Sequence, residues 1–318
     1  MSTKIKEKIY GETTINLPVI AELLSSPLLR RLKKIAQFGI PDEFYHKKNY
    51  SRLGHSVGVM VLLKKLGATE EEQIAGLLHD VSHTAFSHII DWVVGKGRTE
   101  NYQDREHNKF VGQSKIPAIL KKYGYDFNEV NYKKFKLLDR KIPYLCADRI
   151  DYALREFPKP LARYCFAGLA VRNGKIVFKD KKTAKVFAEN FLRLQKEHWG
   201  SFEAASRYRL FGDLLREALK KRIIKFIDFW KDDDFVLDKL KKSRDRLIQR
   251  YLGILRKKTL EELPKSGVVV YKKFRYIDPE FVLKNKAVRL SKVDREFRKE
   301  IEQAKAENKR GIFVPLVV

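Results

Sequence analysis

Two cysteines in 318 residues, Cys146 and Cys165, leave no basis for a disulfide framework or a cysteine-rich zinc site. Any metal must then be held by imidazoles and carboxylates. That donor set favours Mn, Fe, Co, Ni, Zn or Mg in a hydrolytic role over structural zinc. Long apolar runs are also missing. None approaches the roughly 18 residues that span a bilayer, so no membrane association is expected. The N-terminus, MSTKIKEKIYGETT, has no apolar stretch of the kind that marks a secretory signal. The expected address is cytoplasmic. Internal repeats and low-complexity tracts are absent as well, which excludes solenoids and disordered linkers. Acidic residues are the scarce charge: 40 against 67 lysines and arginines, a formal net charge of +27. Either an anionic partner, nucleotide or nucleic acid, or a general lysine bias accounts for the excess. The lysines are spread along the whole chain, so their distribution decides nothing.

What is present is a folded, mostly helical chain, long enough for a large core. In SSPLLRRLKKIAQFG, Ser26 is placed to cap a helix, Pro27 suits its first position, and Gly39 stops it. GATEEEQIAGLLHDV carries Thr69 and, three residues later, Glu72, a capping box before an apolar stripe. Further helices are predicted over 55–66, 137–156, 182–197, 202–230, 235–257 and 291–308. Asn173-Gly174 sits between two short alternating runs and predicts a hairpin. GVVVYKKFRYI and GIFVPLV are expected to pair in a small sheet. The acidic run at 232–234 is the expected seam between a catalytic body, 1–230, and an accessory part, 231–318.

The stretch LLHDVSHTAFSH holds three of the seven histidines in the chain, His79, His83 and His88, beside Asp80. A lone His-Asp pair is ordinary in a helix, and two ligands do not make a metal site. Partners stand on either side. SRLGHSVGV puts His55 at the start of an apolar helix. IPYLCADRIDYALRE places Asp148, Tyr152 and Glu156 on one face at four-residue spacing, with Tyr144 a turn earlier. A carboxylate in so apolar a helix needs a partner, because burying an unpaired charge is costly.

In this order the residues resemble the HD-domain metal-dependent phosphohydrolases, and within them the deoxynucleoside-triphosphate triphosphohydrolase branch. The likeness runs over about residues 27–217, with an echo at RYIDPEFV. It implies a mainly α fold: an HD-domain helical core, a short β-hairpin and a small mixed α/β C-terminal part. By the resemblance, His55, His79, Asp80 and Asp148 bind one divalent metal ion, with manganese among the candidates. A second Mg ion would accompany the substrate phosphates. Gln37 would contact the sugar, Arg52 and Arg149 the phosphates, and Tyr152 and Glu156 the nucleotide, with Arg207 and Tyr208 from a later helix. His83 and His88 fall on the branch's two further histidines, and His107 is the candidate for a third. Ser82 and Ala85 stand where relatives have Gly and often Pro. A homo-oligomer is also implied.

The chemistry needs a nucleophile at neutral pH, neutralised charge at phosphorus and a proton for the leaving oxygen. A bound metal lowers the pKa of its water from about 15.7 towards about 7. Imidazoles titrating near about 6.5 suit the proton transfers. His88 is assigned to the attacking water, and His83 or His107 to the leaving group. Two other readings stay open: a nuclease or nucleotide monophosphatase on the same site, and an inactive nucleotide- or nucleic-acid-binding regulator.

Overall fold

A computed structural model describes residues 3–261 and 266–316. The body is helical, as expected, and is organised around the helix Arg52–Lys65. Ser51 caps it, its Oγ accepting from the Gly54 amide at 3.2 Å. Val59, Met60, Val61, Leu62 and Leu63 are all fully buried. A helix buried on every side belongs to the core, so His55 in its first turn is delivered into the interior. The helices Glu70–Leu78 and Ala147–Glu156 pack on it.

Predicted helices are shorter than their sequence patterns, and for local reasons. The helix at Pro27 runs only to Arg31 before a 3-10 turn at Leu32–Lys34. The 137–156 segment is helical only from Ala147, because Pro143 has no amide to donate. Tyr144 therefore precedes the helix, and its ring lies between the guanidinium groups of Arg140 and Arg289. The 202–230 segment is a helix to Lys220, followed by a 3-10 turn at Phe226–Trp230. The capping box at Thr69 is half formed. Thr69 Oγ1 accepts from the Glu72 amide, but the Glu72 carboxylate accepts from the amides of Leu137 and Leu138 instead.

Asn173 and Gly174 turn the expected hairpin with φ of 49° and 66°, Arg172 facing Lys175. Strand Lys175–Phe178 then pairs in parallel with Glu280–Leu283 through Phe178 and Phe281, which closes a four-stranded sheet with Lys286–Arg289. Gly267–Val270 and Ile312–Pro315 pair antiparallel, as predicted. An additional hairpin, Thr3–Glu7 with Gly11–Ile15, opens the described chain. The expected seam at 232–234 lies inside the structure: Asp233 is buried and accepts from the amides of Ala36 and Phe86. Two hydrophobic clusters, one around Val59 and Phe187 and the other around Phe211 and Leu252, flank the cavity described next. Among the described residues no helix is long and apolar enough to cross a membrane.

Candidate active site

Four side chains from three helical segments converge on one point. His55 Nε2 lies 3.0 Å from Asp148 Oδ1 and 3.3 Å from His79 Nε2. Asp80 oxygens lie 3.5 Å from His79 Nε2 and 3.8 Å from His55 Nε2. Metal–ligand bonds of about 2.0–2.2 Å place neighbouring donors roughly 2.8–3.6 Å apart; His55, His79 and Asp80 lie close enough together to hold one ion, and Asp148 stands beside both imidazoles.

The protonation pattern fits a cation too. His79 Nδ1 donates to the Gly76 carbonyl at 2.8 Å. His55 Nδ1 donates to Asp151 Oδ2 at 2.7 Å. Both rings thus turn Nε2 toward two carboxylates, where a proton or a metal ion has to sit between them. Four donors facing one another repel unless a positive charge sits among them. Burial alone lowers the His79 pKa, yet Asp80 and Asp148 outweigh it and raise it to about 9. The site attracts positive charge even without metal.

Behind the ligands lies a buried network that the sequence did not announce. Asp151 is fully buried and also accepts from Tyr10 Oη at 2.9 Å and from Arg155. Arg155 in turn reaches Glu7 at 2.9 Å. Tyr10 and Glu7 come from the N-terminal hairpin, so that hairpin holds in place the Asp151 carboxylate that accepts from His55. Gly58 makes room for it: a Cβ there would lie 1.8 Å from Arg155 Nη2 and 2.2 Å from Asp151 Oδ1. Gly58→Ala is expected to cost about 1–3 kcal/mol by overpacking and to weaken metal binding about tenfold. Thermal melts and elemental analysis check both; an unchanged metal content would mean that the network does not tune His55.

The turn that follows Asp80 is built of strained backbone. Phe86 and Ser87 have φ of 61° and 47°, a conformation that non-glycine residues hold only when the surroundings impose it. Asp233 Oδ1 accepts from the Phe86 amide at 2.7 Å, and Arg31 donates to the carbonyls of Val81 and His83. Ser82 departs from the expected glycine without strain. Its Oγ contacts His107 Nδ1 at 2.9 Å and accepts from Gln103 Nε2 at 3.0 Å, tying the turn to the helix Tyr102–Gly112.

Over the ligands opens a cavity of about 440 Å³. Gln37, Arg52, His83, His88, Arg149, Tyr152, Glu156 and Tyr208 all line it. Besides His55, two predicted site residues do not. Arg207 points into the protein and donates to the carbonyls of Phe44, Leu255 and Lys257, because that buried guanidinium needs acceptors. His107 sits behind the turn against Ser82 and Tyr132, where burial lowers its pKa to about 4. The predicted cations are also heavily engaged. Arg52 donates to Asp80 Oδ2 at 2.7 Å, Ser87 Oγ at 3.0 Å and the Gln37 carbonyl. Arg149 holds the carbonyls of Tyr144 and Arg140. Gln37 Oε1 is buried with no hydrogen-bond partner among the described residues.

His88 and His83 differ in what they can do. His88 Nδ1 donates to Asp91 Oδ2 at 3.3 Å, which leaves Nε2 as a base. His83 Nε2 stands 3.2 Å from Asp80 Oδ1. Burial and the neighbouring Arg52 hold its pKa well below the usual histidine range. At one end of the cavity, Glu156 accepts from His198 Nδ1 and Trp199 Nε1. The His198 ring stacks on Tyr45, 5.5 Å between centroids. A π-helical turn, Gln195–Trp199, presents both residues; such turns recur at functional sites. Asp91, Glu100, His198, Trp199, Lys272, Lys273 and Arg275 were not found from sequence. A regular helical pattern through QKEHW hides the π turn, and the other residues carry no motif.

Residues 52–153 match the family model of the HD domain. The uncharacterised protein YdhJ of Bacillus subtilis is 34% identical over 324 residues, 99% of each chain. The metal-dependent phosphohydrolase cns2 of Cordyceps militaris is 29% identical over 73% of this chain and 71% of its own. The mouse deoxynucleoside triphosphate triphosphohydrolase SAMHD1 is 26% identical over 37% of this chain and 21% of that protein. A crystal structure of a hypothetical protein from Aquifex aeolicus shares the fold with a TM-score of 0.64 at 18% identity, covering 96% of this chain and 100% of the other.

Proposed function

Because the chain belongs to the HD-domain family of metal-dependent phosphohydrolases, we propose that it hydrolyses deoxynucleoside triphosphates to deoxynucleoside and tripolyphosphate. The observation that carries this reading is the convergent donor set His55, His79, Asp80 and Asp148 under a cavity with cations on its wall and an aromatic end. The partial likeness to the mouse triphosphohydrolase supports the choice of substrate.

A divalent cation held by those four residues supplies Lewis-acid charge and lowers the pKa of bound water. The chain's own groups do the rest. His88, fixed by Asp91, offers Nε2 to take the proton of the attacking water. His83 stays neutral and braces Asp80. His107 is outside the cavity and His83 Nε2 faces Asp80, so neither of these two histidines is placed as the acid for the leaving sugar oxygen. The Gln37 amide oxygen, otherwise unpaired, is set to accept from a substrate hydroxyl. Tyr45, His198, Trp199 and Tyr152 form an aromatic wall against which a base or sugar packs.

The test is a panel of dNTPs, NTPs and NMPs with metal-replete protein, products resolved by chromatography. Tripolyphosphate and deoxynucleoside are expected from dNTPs. Orthophosphate released from NMPs alone would replace this reading with a monophosphatase. Shortening of an oligonucleotide would replace it with a nuclease, and no product from any substrate would leave a binding protein.

A further inference from the structure

The cations expected to meet phosphate, Arg52 and Arg149, spend their donors on the protein itself. The cavity's other cationic wall comes from the far end of the chain. Lys272, Lys273 and Arg275 all line it, carried on the segment after strand Gly267–Val270. The segment is pinned at both ends: the Arg275 amide donates to Gln195 Oε1 at 3.0 Å, and Asn308 Nδ2 donates to the Lys272 carbonyl. Arg275 forms an ion pair with Glu100, which is 1% exposed, while the second Glu100 oxygen has no hydrogen-bond partner among the described residues.

Lys272 is 5% exposed, and its ammonium lies 3.5 Å from the centre of the Tyr208 ring. Neither the Lys272 nor the Lys273 ammonium has a hydrogen bond or salt bridge among the described residues. A buried ammonium in contact with an aromatic face alone is an incomplete arrangement. Burial, partly opposed by Glu100 and reinforced by Arg275, lowers the Lys272 pKa to about 8. Lys273 is lowered by burial as well, and it feels the charges of Glu100, Asp104 and the metal ligand Asp148. The two lysines therefore face the same space as the candidate metal ligands, with no hydrogen-bonded or ion-paired partner for either ammonium among the described residues.

We propose that Lys272 and Lys273, on a strap anchored by the Arg275–Glu100 pair, form the subsite for the distal phosphates of a nucleoside triphosphate. This rests on the triphosphate reading above and deepens it. A chain of phosphates brings several negative charges past the attacked phosphorus, and two free ammonium groups offer up to six donors to them. A monophosphate would engage the metal and leave the strap idle.

The probe is inorganic tripolyphosphate, titrated calorimetrically into metal-loaded wild type and the double variant Lys272→Met/Lys273→Met at fixed ionic strength. Affinity is expected to fall at least about tenfold, the loss of one or two charge-assisted contacts. A Lys182→Met/Lys299→Met control removes the same charge from exposed surface and is expected to bind as wild type does. In the dNTP assay the strap variant should raise KM by a larger factor than it lowers kcat. Lys272→Arg is expected to restore most of the tripolyphosphate affinity, which separates charge from packing. Wild-type affinity should also weaken as pH rises through about 8, where the Lys272 ammonium, facing Glu100, Arg275 and the Tyr208 ring, loses its proton. That limb should be absent when Lys272 is Met.

Equal tripolyphosphate affinity in the strap variant and wild type overturns the subsite, and so does an equal loss in the surface control. If wild type hydrolyses no nucleotide yet the strap variant alone loses tripolyphosphate, the subsite stands and the dNTP reading falls.

Discussion

Asp80→Asn is expected to leave a folded protein without metal and without hydrolysis. The asparagine keeps an oxygen where Asp80 Oδ2 accepts from Arg52 at 2.7 Å, so the buried guanidinium stays hydrogen-bonded. What goes is the negative charge that a divalent cation needs beside two neutral imidazoles. Metal content by elemental analysis should fall from about one equivalent to a small fraction. Activity should fall by roughly a thousandfold or more, since the cation contributes several kcal/mol and each 1.36 kcal/mol is tenfold. Asp80→Ala removes the partner oxygen too. Breaking a buried pair from one side costs about 3–5 kcal/mol, with Ser87 and the Gln37 carbonyl moderating the loss for Arg52. The pair of variants thus separates ligation from folding. A chelator should lower the wild-type melting temperature by mass action and leave Asp80→Asn unmoved. Metal retained at wild-type level in Asp80→Asn would end the assignment of the site.

The residues that the structure brings together around His55 were legible because they are written in short local motifs. His55 follows an N-cap serine, and His79-Asp80 ends a helix whose apolar stripe is unbroken. Asp148, Tyr152 and Glu156 repeat at a helical interval. Local signals also carried the Asn173-Gly174 turn. The helix ends were misread for local reasons, but other misreadings share a different cause: long-range partners outbid local ones. Glu72 has the spacing of a capping box but serves two amides 65 and 66 residues away. Arg207 has the look of a pocket residue but is drawn off by carbonyls up to 163 residues distant. The strap meets Glu100 across 175 residues, and no pattern in KKFR announces that encounter. Asp233 sits in an acidic run that reads as a solvated seam, yet burial in the second core raises its pKa to about 7 while it braces the turn that follows Asp80.

The same logic makes Asp151→Ala the second large effect, although Asp151 touches no ligand position. Its carboxylate is fully buried, and it fixes the His55 tautomer while neutralising Arg155. Without it, Arg155 keeps only Glu7, the Tyr10 hydroxyl loses its acceptor, and His55 is free to place its proton on Nε2, where it blocks ligation. Leaving a buried charge half-paired costs about 3–5 kcal/mol. In a chain of this size that lowers the melting temperature by roughly 5–15 °C. Metal affinity should drop about 10–100-fold, the usual weight of a carboxylate hydrogen-bonded to a ligating histidine. Chelator competition and thermal melts measure the two effects. Restoring metal by mass action should recover hydrolysis in Asp151→Ala, at elevated metal concentration and reduced temperature, but not in Asp80→Asn. That contrast follows from the geometry: one residue supplies a donor, whereas the other decides which nitrogen of the donor carries the proton. If excess metal rescued both variants equally, or neither, the division between ligand and orienting residue would be wrong.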